Sequence, residues 1–284
     1  MVENKENYAY INGKIVPSSE AKVSCFDRGV THGWAVYEGL RVYEGKMFKI
    51  DEHVNRFFDS AKAAVIQIPL SQEELKKAII ETVKANGYKN CHIRPWVSYG
   101  TKGDDPTLFI LVVERGEAYK MGKEKTAVVS MIRRAACDAI DSKIKTNSRL
   151  DLCLAGWDAR RGGASLAIML DRDGFVAEVS MANIYIVKNN KAYTPFTTNA
   201  LEGVTRELVM NLLRSEGYIV EEKNMTLKDL YTADEIFTCG TGEEINSLVQ
   251  IDGRTVGNGK TGPITQKAIE LYINYIKENA ESIS

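Results

Sequence analysis

The sequence lacks the features of secreted, metal-binding and membrane-spanning proteins. Its 5 cysteines form no C-x-x-C pair, so we predict neither a zinc site nor a disulfide framework, and we expect a reducing cytoplasm. Its 3 histidines are not spaced as metal ligands. The longest apolar runs, such as Leu108 to Val113, are far shorter than the roughly 20 residues that span a bilayer. The polar residues 1–7 do not resemble a signal peptide.

The chain also lacks an excess of charge and is poor in proline. Lys plus Arg number 37 and Asp plus Glu 38, which gives a net charge of -1 and no electrostatic reason to expect nucleic acid or a membrane as partner. With 44% apolar residues and only 6 prolines, little of the chain is expected to be disordered. At about 150 residues per domain, 284 residues predict two domains or one large one.

Residues 1–118 are predicted to form a small α+β domain. Asn12-Gly13 and Glu44-Gly45 each separate two strand-like runs, as in β-hairpins. Asp51 can cap a helix with an apolar face, and the capping box of Ser71-Gln-Glu-Glu74 predicts the start of a second helix.

Residues 119–125 are polar and are predicted to be a linker to a larger, strand-rich domain over residues 126–284. Hairpin turns are expected in that domain around residues 173–174, 189–190 and 252–253, and so many hairpins argue against a doubly wound parallel sheet. The predicted fold class is therefore α+β in two domains.

Two glycine-containing segments are candidate anion sites. Gly240-Thr241-Gly242 follows a predicted strand, but Ile245 stands where a dinucleotide fingerprint needs a third glycine, so we favour a loop whose amides and Thr241 hydroxyl face an anion. Gly203 precedes a helix that Thr205 can cap, and the start of a helix suits a phosphate. Most helix starts of this kind merely cap, and a lone lysine such as Lys145 is usually on the surface.

The meaning of these residues changes when they are read together with other motifs in the same order along the chain. The series consists of Tyr10-Ile-Asn-Gly, Val36-Tyr-Glu-Gly-Leu-Arg41, Asp51-Glu-His-Val-Asn-Arg56, His92-Ile-Arg-Pro95, Ile144-Lys145, Glu178-Val-Ser-Met-Ala-Asn183, Gly203-Val-Thr-Arg206, Leu230-Tyr-Thr-Ala-Asp-Glu and Gly240-Thr-Gly. It resembles the class IV, fold-type IV pyridoxal-phosphate aminotransferases, most closely the branched-chain amino acid aminotransferases, from about residue 8 to residue 273.

The resemblance implies a role for each matching residue. Lys145 matches the lysine that forms a Schiff base with pyridoxal 5'-phosphate, and Glu178 matches the carboxylate that pairs with the pyridinium nitrogen. The positions that match phosphate-binding residues are Arg56, Val204, Thr205 and Thr241. The positions around the substrate pocket are Tyr37, Arg41, His92 and Arg94, with Gly242 in the turn that meets the α-carboxylate. The implied partners are an L-amino acid and a 2-oxo acid, with 2-oxoglutarate as acceptor, and the implied assembly is a homodimer.

Three positions depart from the family pattern. His92 and His32 stand where the branched-chain enzymes usually have pocket tyrosines, and Arg149 stands where a tyrosine usually bonds the phenolic oxygen of the cofactor. Such a pocket is more polar, so strict isoleucine, leucine and valine specificity is not expected. The alternatives on the same fold are a D-amino acid or (R)-amine transaminase and, from Arg149, an aminodeoxychorismate lyase. A binding module that has lost the chemistry is the non-enzyme alternative.

Overall fold

A computed structural model describes residues 6–283, and its contacts divide them into two compact units. The first unit comprises the described residues up to Tyr119, the segment Ile144–Ser148 and the end of the chain from Asn279; the second comprises Lys120–Lys143 and Arg149–Glu278. The prediction about a signal peptide concerns residues 1–7, and the first five of these lie outside the described part.

The division differs from the prediction in the position of Lys145. The prediction placed Lys145 in the domain of residues 126–284, whereas the structure places it in the first unit. The segment Ile144–Ser148 belongs to the first unit, because its extended backbone pairs with residues 35–37; the Asn147 amide, for example, donates to the Ala35 carbonyl at 2.7 Å. The chain end also belongs to the first unit. Both assignments depend on partners more than a hundred residues away, which local sequence signals do not report.

The first unit is an antiparallel sheet, with its two long helices packed on one face and a short helix against Trp96 and Ser98 on the other. Its strands are β1 (Tyr8–Ile11), β2 (Lys14–Pro17), β3 (Ala35–Tyr37), β4 (Leu40–Tyr43), β5 (Lys46–Phe48), β6 (Cys91–Ser98) and β7 (Leu108–Glu114), and its helices are α1 (Arg28–Thr31), α2 (Ile50–Ala63) and α3 (Gln72–Asn86). The strand order is β5-β4-β6-β7-β1-β2, with β3 beside β6 and the short strand Glu281–Ser282 beside β5. All of these pairings are antiparallel.

Apolar residues at helical spacing on α2 and α3 close the core of this unit against the sheet. Val54 and Phe57 of α2 and Leu75 and Ile79 of α3 are almost fully buried. The predicted capping box at Ser71 is present, with both of its hydrogen bonds. The predicted cap at Asp51 is wrong: α2 begins one residue earlier, at Ile50, after a left-handed Lys49 (φ 56°), and this places Asp51 in the first turn.

The second unit is a larger mixed sheet with its own helices. Its strands are β8 (Glu124–Val129), β9 (Leu166–Leu170), β10 (Val176–Val179), β11 (Asn183–Lys188), β12 (Lys191–Thr194), β13 (Ile219–Glu222), β14 (Glu235–Gly240), β15 (Glu244–Ile251) and β16 (Arg254–Thr255). Its helices are α4 (Leu150–Arg161), α5 (Val204–Ser215), α6 (Leu227–Tyr231) and α7 (Pro263–Asn279), the last ending at the boundary with the first unit.

The strand order of the second unit is β10-β9-β8-β15-β14-β11-β12-β13, with β16 beside β15. Strand β8 is parallel to β9 and β15, and β12 is parallel to β13, while the other pairs are antiparallel. The α+β class is therefore confirmed. Within residues 6–283, no helix combines the length and the apolar character that crossing a membrane requires.

Candidate active site

Lys145 lies on a main chain that is fixed from two sides within the first unit. The Tyr37 amide donates to the Lys145 carbonyl (N···O 3.0 Å), and the Lys145 amide donates to Ser60 Oγ on α2 (3.2 Å). The Lys145 side chain is half-buried, and its Nζ lies 5.0 Å from the centre of the Tyr37 ring. The sequence-predicted lysine is thus held beside the sequence-predicted tyrosine.

The four residues predicted to surround the substrate share one face of the first sheet. Tyr37 pairs with a β6 residue, Arg41 pairs directly with His92, and Arg94 follows His92 by two positions, so the pleat directs all four side chains to the same side. The Arg94 guanidinium carbon lies 5.0 Å from the centre of the Tyr37 ring. This face is therefore aromatic and strongly cationic.

His92 is an uncharged member of this cationic face. Burial, with the positive charges of Arg115, Arg94 and Arg41 beside it, lowers the pKa of His92 to about 3. A Cβ on Gly39 would lie 2.9 Å from His92 Nε2, so only glycine leaves the imidazole its present place. A neutral imidazole can donate and accept hydrogen bonds where the usual family tyrosine would present a hydroxyl.

Arg56 lies on a polar stripe of α2 together with His53 and Ser60, at positions i, i+3 and i+7 of one helix face. Its guanidinium binds the buried Glu38 through two nitrogens, and His53 binds the same carboxylate. The structure therefore places Arg56 in the first unit, in a buried ionic group. The acidic member of this group, Glu38, directly follows Tyr37 in the sequence motif.

In the second unit, Glu178 is buried on β10, where it forms an ion pair and accepts a hydrogen bond from a backbone amide. Arg134 Nε lies 2.8 Å from Glu178 Oε1, and the Leu201 amide donates to Oε2 at 3.3 Å. Arg134 also forms an ion pair with Asp151. The orientation of the Glu178 carboxylate is thereby fixed.

Arg149 directly precedes α4 and belongs to the charged group around Glu178. Burial lowers the pKa of Arg149, whereas the negative charges of Glu178 and Asp151 act in the opposite direction. Since arginine stays protonated in proteins, a half-buried cation lies where the family usually has a tyrosine.

The predicted phosphate-binding residues lie at the start of α5 and in the β14–β15 turn. Gly203 occupies the N-cap of α5, so no side chain covers the amides of Val204 and Thr205 from that position. The prediction of Thr205 as the cap is wrong: Thr205 is the second residue of the helix, with a buried side chain. Thr241 and Gly242 lie in the turn that joins β14 to β15.

Two close approaches bring these loops to residues 182–183, which follow the strand that carries Glu178. A Cβ on Gly203 would lie 2.0 Å from Asn183 Oδ1, and a Cβ on Gly240 would lie 3.3 Å from the Ala182 Cβ. Ala182 and Asn183 follow Glu178 by only four and five residues, and Asn183 Nδ2 donates to the Leu201 carbonyl at 2.9 Å. The second unit therefore gathers the start of α5, the β14–β15 turn and the Glu178 region around residues 182–183.

The groups of each unit fit a part of pyridoxal 5'-phosphate by their chemistry. The uncapped first turn of α5 and the threonine hydroxyls suit a phosphate dianion, and the fixed carboxylate of Glu178 suits a protonated pyridine nitrogen. The amine of Lys145 suits an aldehyde.

Sequence reasoning missed three residues that the structure places in these groups, namely Glu38, His53 and Arg134. Glu38 stands next to Tyr37 in one of the motifs, so its position was visible in the sequence although its partner on α2 was not. Arg134 is one of an adjacent pair, Arg133-Arg134, and nothing in the spacing of that pair indicates an acidic partner more than forty residues away.

The fold is that of solved branched-chain aminotransferases. The T.th. branched-chain amino acid aminotransferase complexed with N-(5'-phosphopyridoxyl)-L-glutamate matches with a TM-score of 0.94 and 32% identity, over 99% of each chain. The family model for amino-transferase class IV matches residues 35–251. The chain belongs to the class IV aminotransferase family, which confirms the family predicted from the motifs.

Relatives known from their sequences agree with this assignment. The putative branched-chain-amino-acid aminotransferase of Methanocaldococcus jannaschii is 38% identical over 273 residues, which cover 93% of this chain and 94% of that protein. Branched-chain-amino-acid aminotransferase-like protein 2 of Arabidopsis thaliana is 40% identical over 281 residues, which are 95% of this chain. The chain spans about half the length of this and a second Arabidopsis relative.

Proposed function

We propose that the protein is a pyridoxal-phosphate-dependent aminotransferase that moves the amino group of an L-amino acid, branched-chain or related, to a 2-oxo acid, with 2-oxoglutarate as acceptor. The observation that carries the proposal is the position of Lys145. Its main chain is bonded to β3 and α2, and its amine lies beside Tyr37 on a face that also carries Arg41 and Arg94. The amine of a lysine can form a Schiff base, and the neighbouring guanidinium groups suit carboxylate-bearing substrates.

When bound, pyridoxal phosphate supplies an aldehyde carbon that takes the amino group and a protonated ring that draws electrons from the substrate Cα. Lys145 would hold the aldehyde carbon, and its free amine would take the proton from the substrate Cα. Glu178 holds the proton on the pyridine nitrogen, and Arg134 fixes that carboxylate in place.

The remaining residues bind the rest of the cofactor. The amides of Val204 and Thr205 and the hydroxyls of Thr205 and Thr241 donate to the phosphate, where the α5 dipole favours negative charge. Arg56 adds a guanidinium for the same phosphate. Arg149 places a positive charge near the phenolic oxygen.

Substrate carboxylates are bound by the cationic face and by the β14–β15 turn. The Gly242 turn meets the α-carboxylate, and Arg41 and Arg94 receive a second carboxylate when the substrate has one. Neutral His92 and Tyr37 complete this face and can bond a carboxylate without adding charge. The proposed pocket therefore accepts dicarboxylic as well as branched-chain substrates.

The test is a panel of L- and D-amino acids incubated with the holoenzyme and 2-oxoglutarate, with amino-acid products measured by chromatography. We expect transfer from L-substrates, loss of transfer in Lys145→Ala, and retention in Lys143→Ala, which removes an exposed neighbouring lysine. Full activity in Lys145→Ala would contradict the proposal. Transfer from D-amino acids or (R)-amines alone, release of a lyase product, or cofactor binding without turnover would identify the respective alternative.

We also propose that the enzyme is a homodimer in the cytoplasm. The dimer follows from the resemblance, and the free thiols of all five cysteines suit a reducing compartment. Light scattering on the purified protein tests the assembly, since a dimer has twice the chain mass of 31.7 kDa.

A further inference from the structure

The guanidinium of Arg56 is held along one edge by a carboxylate that is itself bonded on several sides. Arg56 Nε donates to Glu38 Oε1 at 2.6 Å, and Nη2 donates to Oε2 at 2.9 Å. His53 Nδ1 and the Gly39 amide also donate to Oε2, at 2.9 and 3.0 Å. Glu38 has no exposed surface, and its own amide is tied to the Pro95 carbonyl.

The charges of this group are fixed over the physiological pH range. Burial by itself would raise the pKa of Glu38, but the Arg56 guanidinium and the His53 ring hold it well below its usual range. Burial lowers the pKa of His53 although its bond to Glu38 acts in the opposite direction. Because a carboxylate only accepts hydrogen bonds, the neutral His53 ring carries its proton on Nδ1.

Stability alone is a poor explanation for this ionic group. Replacing a buried ion pair by apolar residues of similar volume is often neutral or stabilising, because two charges must lose their hydration. What the group does provide is a fixed orientation of Arg56. Glu38 accepts from both Nε and Nη2, and these two parallel bonds fix the plane of the guanidinium. The Arg56 side chain remains 15% exposed.

We propose that Glu38 and His53 are positioning residues that hold the Arg56 guanidinium in a fixed orientation for binding the 5'-phosphate of the cofactor. The inference rests on the proposed function, in which Arg56 binds that phosphate. A preoriented guanidinium loses less conformational entropy when it binds, so affinity for the phosphate depends on Glu38 although Glu38 is itself an anion.

The experiment compares two probes that differ by one phosphate group. The apoprotein is titrated with pyridoxal 5'-phosphate and with pyridoxal, and both dissociation constants are measured by equilibrium dialysis. For Glu38→Gln we expect affinity for pyridoxal phosphate to fall about tenfold while affinity for pyridoxal stays within about twofold, since only the phosphate bond depends on Arg56. Glu52→Gln, which removes an exposed carboxylate from the same helix, should change neither value.

A further variant keeps the test decisive if Glu38→Gln folds poorly. His53→Phe keeps an aromatic ring of similar size but removes one donor to Glu38, and we expect a smaller loss, about threefold, again for pyridoxal phosphate only. In an Arg56→Lys background, Glu38→Gln should have little additional effect, because the guanidinium that it positions is already absent.

The outcomes separate this inference from the proposed function. One outcome is that the wild type binds pyridoxal phosphate more tightly than pyridoxal while neither Glu38→Gln nor His53→Phe loses affinity. That result would overturn the positioning role alone. An equal loss for both probes would also overturn it, because that result indicates a general structural role. A wild-type protein that binds neither probe would overturn the proposed function, and this inference with it.

Discussion

Arg134 Nε lies 2.8 Å from Glu178 Oε1, and both side chains are buried in the second unit. The same guanidinium reaches Asp151, so one cation serves two carboxylates. The residue proposed to face the pyridine nitrogen is therefore oriented by an arginine that none of the recognised motifs contains. The same principle operates in the first unit, where Glu38 orients Arg56.

Replacing Arg134 by methionine is expected to destabilise the protein strongly. The change removes the Arg134 guanidinium from Glu178 and Asp151, and breaking a buried ion pair in this way costs about 3 kcal/mol in the free energy of unfolding. Arg172→Met removes an exposed arginine that pairs with Asp138 and should cost about 0.5 kcal/mol or less. Urea unfolding of the two apoproteins measures both values, and equally small losses would show that the Arg134 pair contributes no more than a surface pair.

His92 predicts a pH dependence of stability. Its pKa of about 3 in the folded protein lies below the value of an unfolded histidine, so between these values the unfolded chain binds more protons. The stabilisation is fully present above about pH 6.5 and is lost as the pH falls towards 3; the loss at pH 5 is up to about 2 kcal/mol.

His92→Gln removes this contribution. The difference between the free energies of unfolding at pH 7 and pH 5, measured with urea, should be smaller in the variant than in the wild type. Other acid-sensitive groups, including His53, are common to both proteins and cancel in the comparison. An identical difference in both proteins would mean that His92 is already protonated in the folded state at pH 5.

Arg149→Tyr restores the residue that the family usually has beside the cofactor. Removing the cation that is proposed to lie near the phenolic oxygen should raise the pH midpoint of the visible absorbance change of the bound cofactor, by about one pH unit, and should favour branched-chain substrates over more polar ones. Arg160→Tyr changes an exposed arginine of the same helix, which packs on Trp157, and serves as the control. If the midpoint and the preference stay unchanged in Arg149→Tyr, Arg149 does not act on the cofactor.

Local chemistry made some parts of the fold predictable. The hairpin at Asn12-Gly13 and the capping box at Ser71 depend on residues within four positions of one another, and the structure contains both. The start of α2 was missed because a left-handed lysine, Lys49, begins it where a polar cap was expected. No strong local preference indicates that conformation for lysine.

The site was predictable where it could be matched to motifs and not where it depends on distant contacts. Lys145 was found from its motif, but its place in the first unit results from pairing with residues 35–37. Glu38 and Arg134 were missed because their roles are defined by partners that are distant in sequence, Arg56 on α2 and Glu178 on β10.

Two glycine-to-alanine changes are expected to alter stability in opposite directions. In Gly203→Ala the new Cβ would lie 2.0 Å from Asn183 Oδ1, so Asn183 must move and give up its bond to the Leu201 carbonyl. We expect a loss of about 2 kcal/mol in the free energy of unfolding. Gly156 lies inside α4, where a Cβ meets no heavy atom within 4 Å, so Gly156→Ala should gain about 0.5 to 1 kcal/mol from helix propensity.

Urea unfolding of the two apoproteins measures whether each change raises or lowers the free energy of unfolding. The affinity for pyridoxal phosphate then shows whether the change also affects the proposed phosphate site. Because Gly203 precedes the amides proposed to bind the phosphate, Gly203→Ala should also weaken pyridoxal phosphate more than pyridoxal, whereas Gly156→Ala should affect neither. A stable Gly203→Ala protein with unchanged affinity for both probes would show that Asn183 moves without cost. In that case the close approach at the start of α5 does not constrain the phosphate site.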